Sequence, residues 1–229
     1  LYPRMIEKAA VKTALNAAIT EFGQETQAGK APDTWADYAA AKAFALEVQA
    51  DATANQAKVN AARVELMKAH RNLKNEVLTP VSGSTTIIDS RQMFIYGLME
   101  FAGDLTGLAS PVGTYSITYD LHGQAFLGTG AYVYVKEGET QKALYTVVLF
   151  GDLNGDGMIT ADDQTILNGL LEPNADWTGF FAGGPFFTAA DLNSDGKIDA
   201  TDKAIMDAHL DPANPFTIDQ TGHNTLPAA

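Results

Sequence analysis

The 229-residue sequence contains no cysteine. Neither a disulfide nor a thiolate site can form in it. Basic residues are scarce: 15 Lys and Arg stand against 28 Asp and Glu, a formal net charge of −13. That sign argues against binding nucleic acid by phosphate neutralisation. No apolar run reaches the roughly 18 residues a membrane-spanning helix requires. The opening "LYPRM" has neither a basic start nor an apolar stretch behind it, so no signal peptide is visible, and the first residue is not Met. We read the chain as an excised piece of a longer protein. Catalytic patterns are missing as well. His70, His122, His209 and His223 are scattered, with no HExxH spacing, and there is no GxSxG. "GTGAYV" lacks the Lys-Ser/Thr of a phosphate loop. The expectation is a non-catalytic region.

What the chain does contain falls into three parts. Residues 1–76 are rich in Ala, Gln, Glu and Lys, and three helical stripes are legible. The first helix is expected from about Lys8 to Gln27, with Val11, Leu15, Ala18, Ile19 and Phe22 at helical spacing. The second starts near Asp33 or Thr34 as cap and carries Trp35, Tyr38, Ala41, Ala45 and Val48. The third runs from about Asn55 to Leu73 through Val59, Ala62, Leu66, Ala69 and Leu73. Three amphipathic helices with short connections predict an antiparallel three-helix bundle. Residues 77–150 turn to Thr, Ile, Val, Tyr and Gly. "STTIID", "MFIYGL", "TYSITYDL", "AYVYVK" and "ALYTVVLF" read as strands of a small, mostly antiparallel sheet. "GQAFLGTG" and "KEGETQK" read as turns, and "GDLTGLAS" as one short helix. Residues 151–229 hold most of the acid. From Phe150 onward 13 Asp and Glu face 2 Lys. The fold class is therefore multidomain: a helical bundle, a β-rich domain and an α-helical domain.

The last part contains an internal repeat. "DLNGDGMITADDQTILNGLL" starts at Asp152 and "DLNSDGKIDATDKAIMDAHL" at Asp191, with ten of twenty positions identical. Its spacing suits calcium, a hard cation taking six to eight oxygens from positions 1, 3, 5, 7, 9 and 12 of a loop. In the first copy these are Asp152, Asn154, Asp156, the carbonyl of Met158, Thr160 and Asp163. In the second they are Asp191, Asn193, Asp195, the carbonyl of Lys197, Asp199 and Asp202. Gly157 and Gly196 fall at position 6, where the chain turns sharply. Ile159 and Ile198 at position 8 either pair the two loops or pin them to the core. Two calcium ions are expected, coupled to folding because the ligand carboxylates repel one another without metal. Position 12 is Asp instead of the usual bidentate Glu. The first loop follows a strand, and each leads into a helix, about Ala161–Leu171 and Ala200–Leu210.

From about Gly151 to Phe216, "DLNGDGMITADD" and "DLNSDGKIDATD" resemble a dockerin of type I. The resemblance implies a calcium-dependent module that binds a cohesin domain of a scaffoldin or cell-surface protein. It also implies partner contacts at loop positions 10, 11, 17 and 18: Ala161, Asp162, Asn168 and Gly169, then Ala200, Thr201, Asp207 and Ala208. Only Thr201 is of the Ser/Thr type usual at positions 10 and 11. "TWADYAAAKAFALEV" and "QAKVNAARVELMKAHRNL" resemble a FIVAR module. "GTGAYVYV" and "YTVVLFGDLNGDG" are similar to the small X-type β module that precedes dockerins in secreted clostridial and ruminococcal proteins. Together these imply the non-catalytic tail of an extracellular carbohydrate-active or surface protein, monomeric when alone. Because "YTVVLF" runs into Asp152 without a linker, sheet and dockerin are expected to form one rigid unit. The apolar "WTGFFAGGPFF" between the loops is expected to pack on the sheet or to add a contact with the partner. The other reading is a glycan-binding or adhesive region with structural calcium, in which Trp35 and Tyr38 would stack on sugars. A calcium sensor has little room to open here.

Overall fold

The computed structural model describes residues 10–213 and 216–226. The chain divides into two compact units, Leu1–Glu76 and Val77–Ala229. The change of sequence character at 150/151 is therefore not a division in packing.

In the first unit α1 spans Thr13–Phe22, α2 Pro32–Ala50 and α3 Gln56–Asn72. α1 is shorter than its periodicity suggests. It ends where the Gly23 N–H bonds the Ile19 carbonyl at 3.0 Å, and a Cβ on Gly23 would sit 2.4 Å from that oxygen. Lys8 lies outside the described residues. α2 begins at Pro32, whose fixed φ and missing N–H suit a first turn, and not behind an Asp33 or Thr34 cap. α3 is capped by Asn55, whose side chain accepts the Lys58 N–H at 2.9 Å. Leu15, Tyr38, Ala45, Val48, Val59, Ala62 and Leu66 fill the core. Each of the Leu and Val side chains among them contributes about 2 kcal/mol on burial. Tyr38 is wholly buried. Its hydroxyl donates to the Phe22 carbonyl at 2.9 Å, which removes it from the sugar-stacking role.

The second unit runs β1 (Leu78–Pro80), β2 (Ile87–Asp89), β3 (Phe94–Tyr96), β4 (Ala109–Pro111), β5 (Ser116–Asp120), β6 (Tyr132–Glu137) and β7 (Thr140–Val147). There follow α4 (Ala161–Leu170), α5 (Pro185–Ala190) and α6 (Ala200–Leu210). β1 and β4 form a small antiparallel pair, and the other strands a five-stranded sheet in the order β2-β3-β7-β6-β5. The sheet is mixed, since β3 lies parallel to β7 with Phe94 opposite Thr146. "GDLTGLAS" is not a helix: it forms turns and then enters β4. "KEGETQK" is mostly strand, with only Gly138 and Glu139 between β6 and β7.

Strand alternation explains why sheet and helices share one unit. Tyr145 and Val147 enter the sheet core with Val133 and Val135. Beyond them Val148 and Phe150 enter a second core with Leu153, Leu167, Leu192 and Ile205. Between the loops, α5 starts with Pro185 in its first turn. Phe180 packs against the second core, and the Phe186 ring covers Gly130, 3.1 Å from where a Cβ would lie. Trp177 and Phe181 remain exposed, so the apolar linker packs on the sheet only in part. Among the described residues no helix is long and apolar enough to cross a membrane.

Candidate functional site

Two loops, 152–163 and 191–202, repeat one hydrogen-bond scheme. In the first, the Asp163 carboxylate accepts the N–H groups of Leu153 at 2.8 Å, Asn154 at 3.1 Å and Thr160 at 2.8 Å. In the second, Asp202 accepts from Leu192 at 2.7 Å, Asn193 at 3.3 Å and Asp199 at 2.8 Å. Position 12 thus ties the start of each loop to its end. It also forms a capping box with position 9 at the head of α4 and α6, Thr160 with Asp163 and Asp199 with Asp202. Positions 3 and 5 make successive side-chain turns. Asn154 accepts the Asp156 N–H and Asp156 the Met158 N–H, both at 2.9 Å. Asn193 accepts from Asp195 and Asp195 from Lys197, both at 3.0 Å.

Position 1 is buried in both loops. Asp152 accepts the N–H groups of Gly155 at 2.7 Å, Gly157 at 3.1 Å and Thr129 at 2.8 Å. Asp191 accepts from Asp195 at 3.0 Å and Gly196 at 2.9 Å. These bonds require the position-6 residue to turn its N–H inward, and Gly157 and Gly196 do so at φ 83° and 86°, a region glycine occupies without penalty.

Asp152, Asp163, Asp191 and Asp202 are buried. Among the described residues the ion pair of this region joins Lys203 to Asp207 and reaches none of the four. Burial pushes the Asp152 carboxyl up to about 6, with the Asp163 charge adding and the three N–H donors opposing. Burial likewise raises Asp191 and Asp202, the latter also through the charge of Asp191. Asp199 is held below the usual carboxylate range, first by the Thr201 N–H. Buried, unpaired carboxylates are costly unless a cation compensates them. The all-oxygen donor set suits a hard divalent cation. Among the described residues no three Asp, Glu, His or Cys side chains converge as a ready metal cluster, because the acids of each loop are spread over backbone N–H donors.

Several contacts had no counterpart in the sequence reading. Gly128 and Thr129 of the β5–β6 connection and Glu100 after β3 touch the first loop; the Glu100 carboxylate accepts the Ile159 N–H at 2.8 Å. Ile159 is buried and Ile198 packs partly buried on the same core, and no β-bridge joins them among the described residues. Asn224, buried near the chain end, donates its side-chain amide to the Leu192 carbonyl at 2.9 Å. No local pattern signals these contacts.

The residues singled out for partner contact are dispersed in character. Ala161, Asp162, Gly169, Ala200 and Thr201 are exposed, and Asn168, Asp207 and Ala208 half-buried. Asp207 is already engaged by Gln164 of α4 at 2.7 Å, and the Ala208 carbonyl by the Phe216 N–H at 3.2 Å.

No curated protein and no solved structure matches the chain. One family profile does: residues 150–211 match the dockerin type I domain. Domains of that family bind calcium and serve in general as cohesin-binding assembly modules of secreted or cell-surface proteins. The second unit therefore carries a dockerin type I domain over residues 150–211.

Proposed function

We propose that this chain is a non-catalytic assembly region whose dockerin holds two calcium ions and binds the cohesin of a scaffoldin or cell-surface protein. It would thereby attach a secreted carbohydrate-active or surface protein to a scaffold outside the cell. The observation that carries this reading is the duplicated loop, with the same bonds from positions 1, 3, 5 and 12 in both copies, inside the stretch that matches the family. The ligands would be Asp152, Asn154, Asp156, Met158 O, Thr160 and Asp163, then Asp191, Asn193, Asp195, Lys197 O, Asp199 and Asp202. A bound cation would supply the positive charge that the four buried carboxylates lack. Residues 77–150 would act as an X-type module and the N-terminal helices as a FIVAR-like spacer. Calorimetry of the chain against the cohesins of its source organism, in calcium and in chelator, tests the reading. Tight binding abolished by chelator is expected, and absence of binding to the whole set would overturn it.

A second reading, an adhesive or glycan-binding region with structural calcium, has one feature in its favour. A groove of about 410 Å³ beside the first loop is lined by His122, Gln124, Tyr132, Phe181 and Phe186. Aromatic rings with a few polar groups are what sugar faces stack on. A glycan array probed with the intact chain separates the two.

A further inference from the structure

We infer that the connections between the sheet strands are a working part of the first metal loop, so that the two loops are unequal cation sites governed from different parts of the chain. The inference rests on the calcium reading of both loops.

The first loop is built against the sheet side of the unit on every flank. Gly128 leaves no space: a Cβ there would lie 2.3 Å from the Gly155 carbonyl oxygen and 2.5 Å from the Gly157 nitrogen. The next residue, Thr129, gives its N–H to Asp152 at 2.8 Å, a donor to the position-1 carboxylate from outside the loop. Its hydroxyl bonds both the N–H and the carbonyl of Leu149 at 3.1 Å, fixing where β7 delivers the loop. Phe101 donates its N–H to the Gly157 carbonyl at 3.0 Å and does so from φ 63°, a conformation that disfavours any residue with a side chain. Phe126 lies 2.6 Å from where a Cβ on Gly157 would be and meets the Phe101 ring edge-on at 5.5 Å. Glu100 accepts the position-8 N–H of Ile159.

The second loop has a different support. Its position-6 glycine, Gly196, faces open space. Asn224 bonds the Leu192 carbonyl through side chain and backbone, at 2.9 and 3.2 Å, and the Ser194 hydroxyl donates to the Gly222 carbonyl at 2.6 Å. Outer groups that hold metal ligands in place commonly change metal affinity by about 10- to 100-fold when altered. A loop fixed beforehand also loses less freedom on binding. The first loop should therefore be the tighter site in the intact chain, through residues that are not themselves ligands.

The test is a calcium titration of the intact chain followed by NMR at the Gly157 and Gly196 amides, each of which bonds the position-1 carboxylate of its own loop. Gly128→Ala should weaken calcium binding at Gly157 about tenfold or more while the Gly196 midpoint stays within about twofold. Glu100→Ala should shift the Gly157 midpoint alone, by about tenfold. Glu100→Gln, whose amide oxygen can still accept the Ile159 N–H, should restore it. Should Gly128→Ala fail to fold, the Glu100 pair, which leaves the close backbone contact untouched, decides. Midpoints that move together, or a Gly157 midpoint unmoved by the variants, would overturn the inference while leaving the calcium reading intact. A wild-type chain that takes up no calcium would overturn both.

Discussion

Gln164 on α4 donates its side-chain amide to the carboxylate of Asp207 on α6 at 2.7 Å, and Lys203, one turn earlier, reaches the same carboxylate at 2.5 Å. One side chain thus joins the helices of the two repeats. Because the pair is only half-buried, solvent discounts it. Gln164→Ala should cost about 1 kcal/mol, read as a lower urea midpoint in calcium. The double variant Gln164→Ala/Asp207→Ala should lose less than the sum of the single losses, since both remove the same bond.

Removing calcium should act on one unit alone. Ions that bind only the folded state stabilise it by about 4 kcal/mol at a thousandfold excess over Kd. Calorimetric scans with chelator should shift the transition of residues 77–229 downward and leave that of residues 1–76 in place. A common shift of both transitions would contradict loop-specific binding.

Gly97 stands at φ 76° with the Thr85 carbonyl oxygen 2.1 Å from the site of a Cβ. Gly97→Ala combines a left-handed backbone with a clash against another backbone, which neither a rotamer change nor a side-chain shift relieves. A loss of about 3 kcal/mol is expected, measured as a reduced denaturation midpoint with unchanged m-value.

Acid should test the first unit through Asp51. Its carboxyl is held down to about 2, first by the Thr53 hydroxyl and then by the Thr53 N–H, with Lys58 adding. The folded pKa lies below the unfolded one. The stability gained from ionised Asp51 is therefore complete above the ordinary value of 3.8 and is lost as pH falls through about 2. NMR titration should place the Asp51 midpoint near the lower value. Asp51→Asn should flatten the acid limb of helix unfolding between these two values.

The helices were legible because their burial follows one period: Tyr38, Ala45 and Val48 on α2, and Val59, Ala62 and Leu66 on α3. The turns of the metal loops were legible for the same reason, since Asn154, Asp156 and Gly157 act on neighbours a few residues away. β1 and β4 were not legible: unlike β2 and β3, which are as short, each ends in proline, which has no N–H to give a ladder and reads as a turn. The parallel pairing of β3 with β7 depends on a crossing that strand composition does not encode. α5 was a missed signal, because Pro185 after two glycines marks a first helical turn. Glu100 and Thr129 act on residues 59 and 23 positions away. A contact of that range leaves no local periodicity to read.

The segment after α6 binds residues laid down far earlier in the chain. Gln220 accepts the Gly97 N–H through its carbonyl at 2.9 Å. Its side chain takes the N–H of Phe150 at 2.7 Å and gives to its carbonyl at 2.9 Å. Asn224 then closes on Leu192. A chain is made from its N-terminal end, and contacts of long sequence separation form slowly. During synthesis, β3 and the entry to the first loop must wait for residues more than a hundred and about seventy positions later, respectively. The core of the first unit is built from residues of its own stretch, from Leu15 to Leu66, so its helices can fold while the rest is still being made.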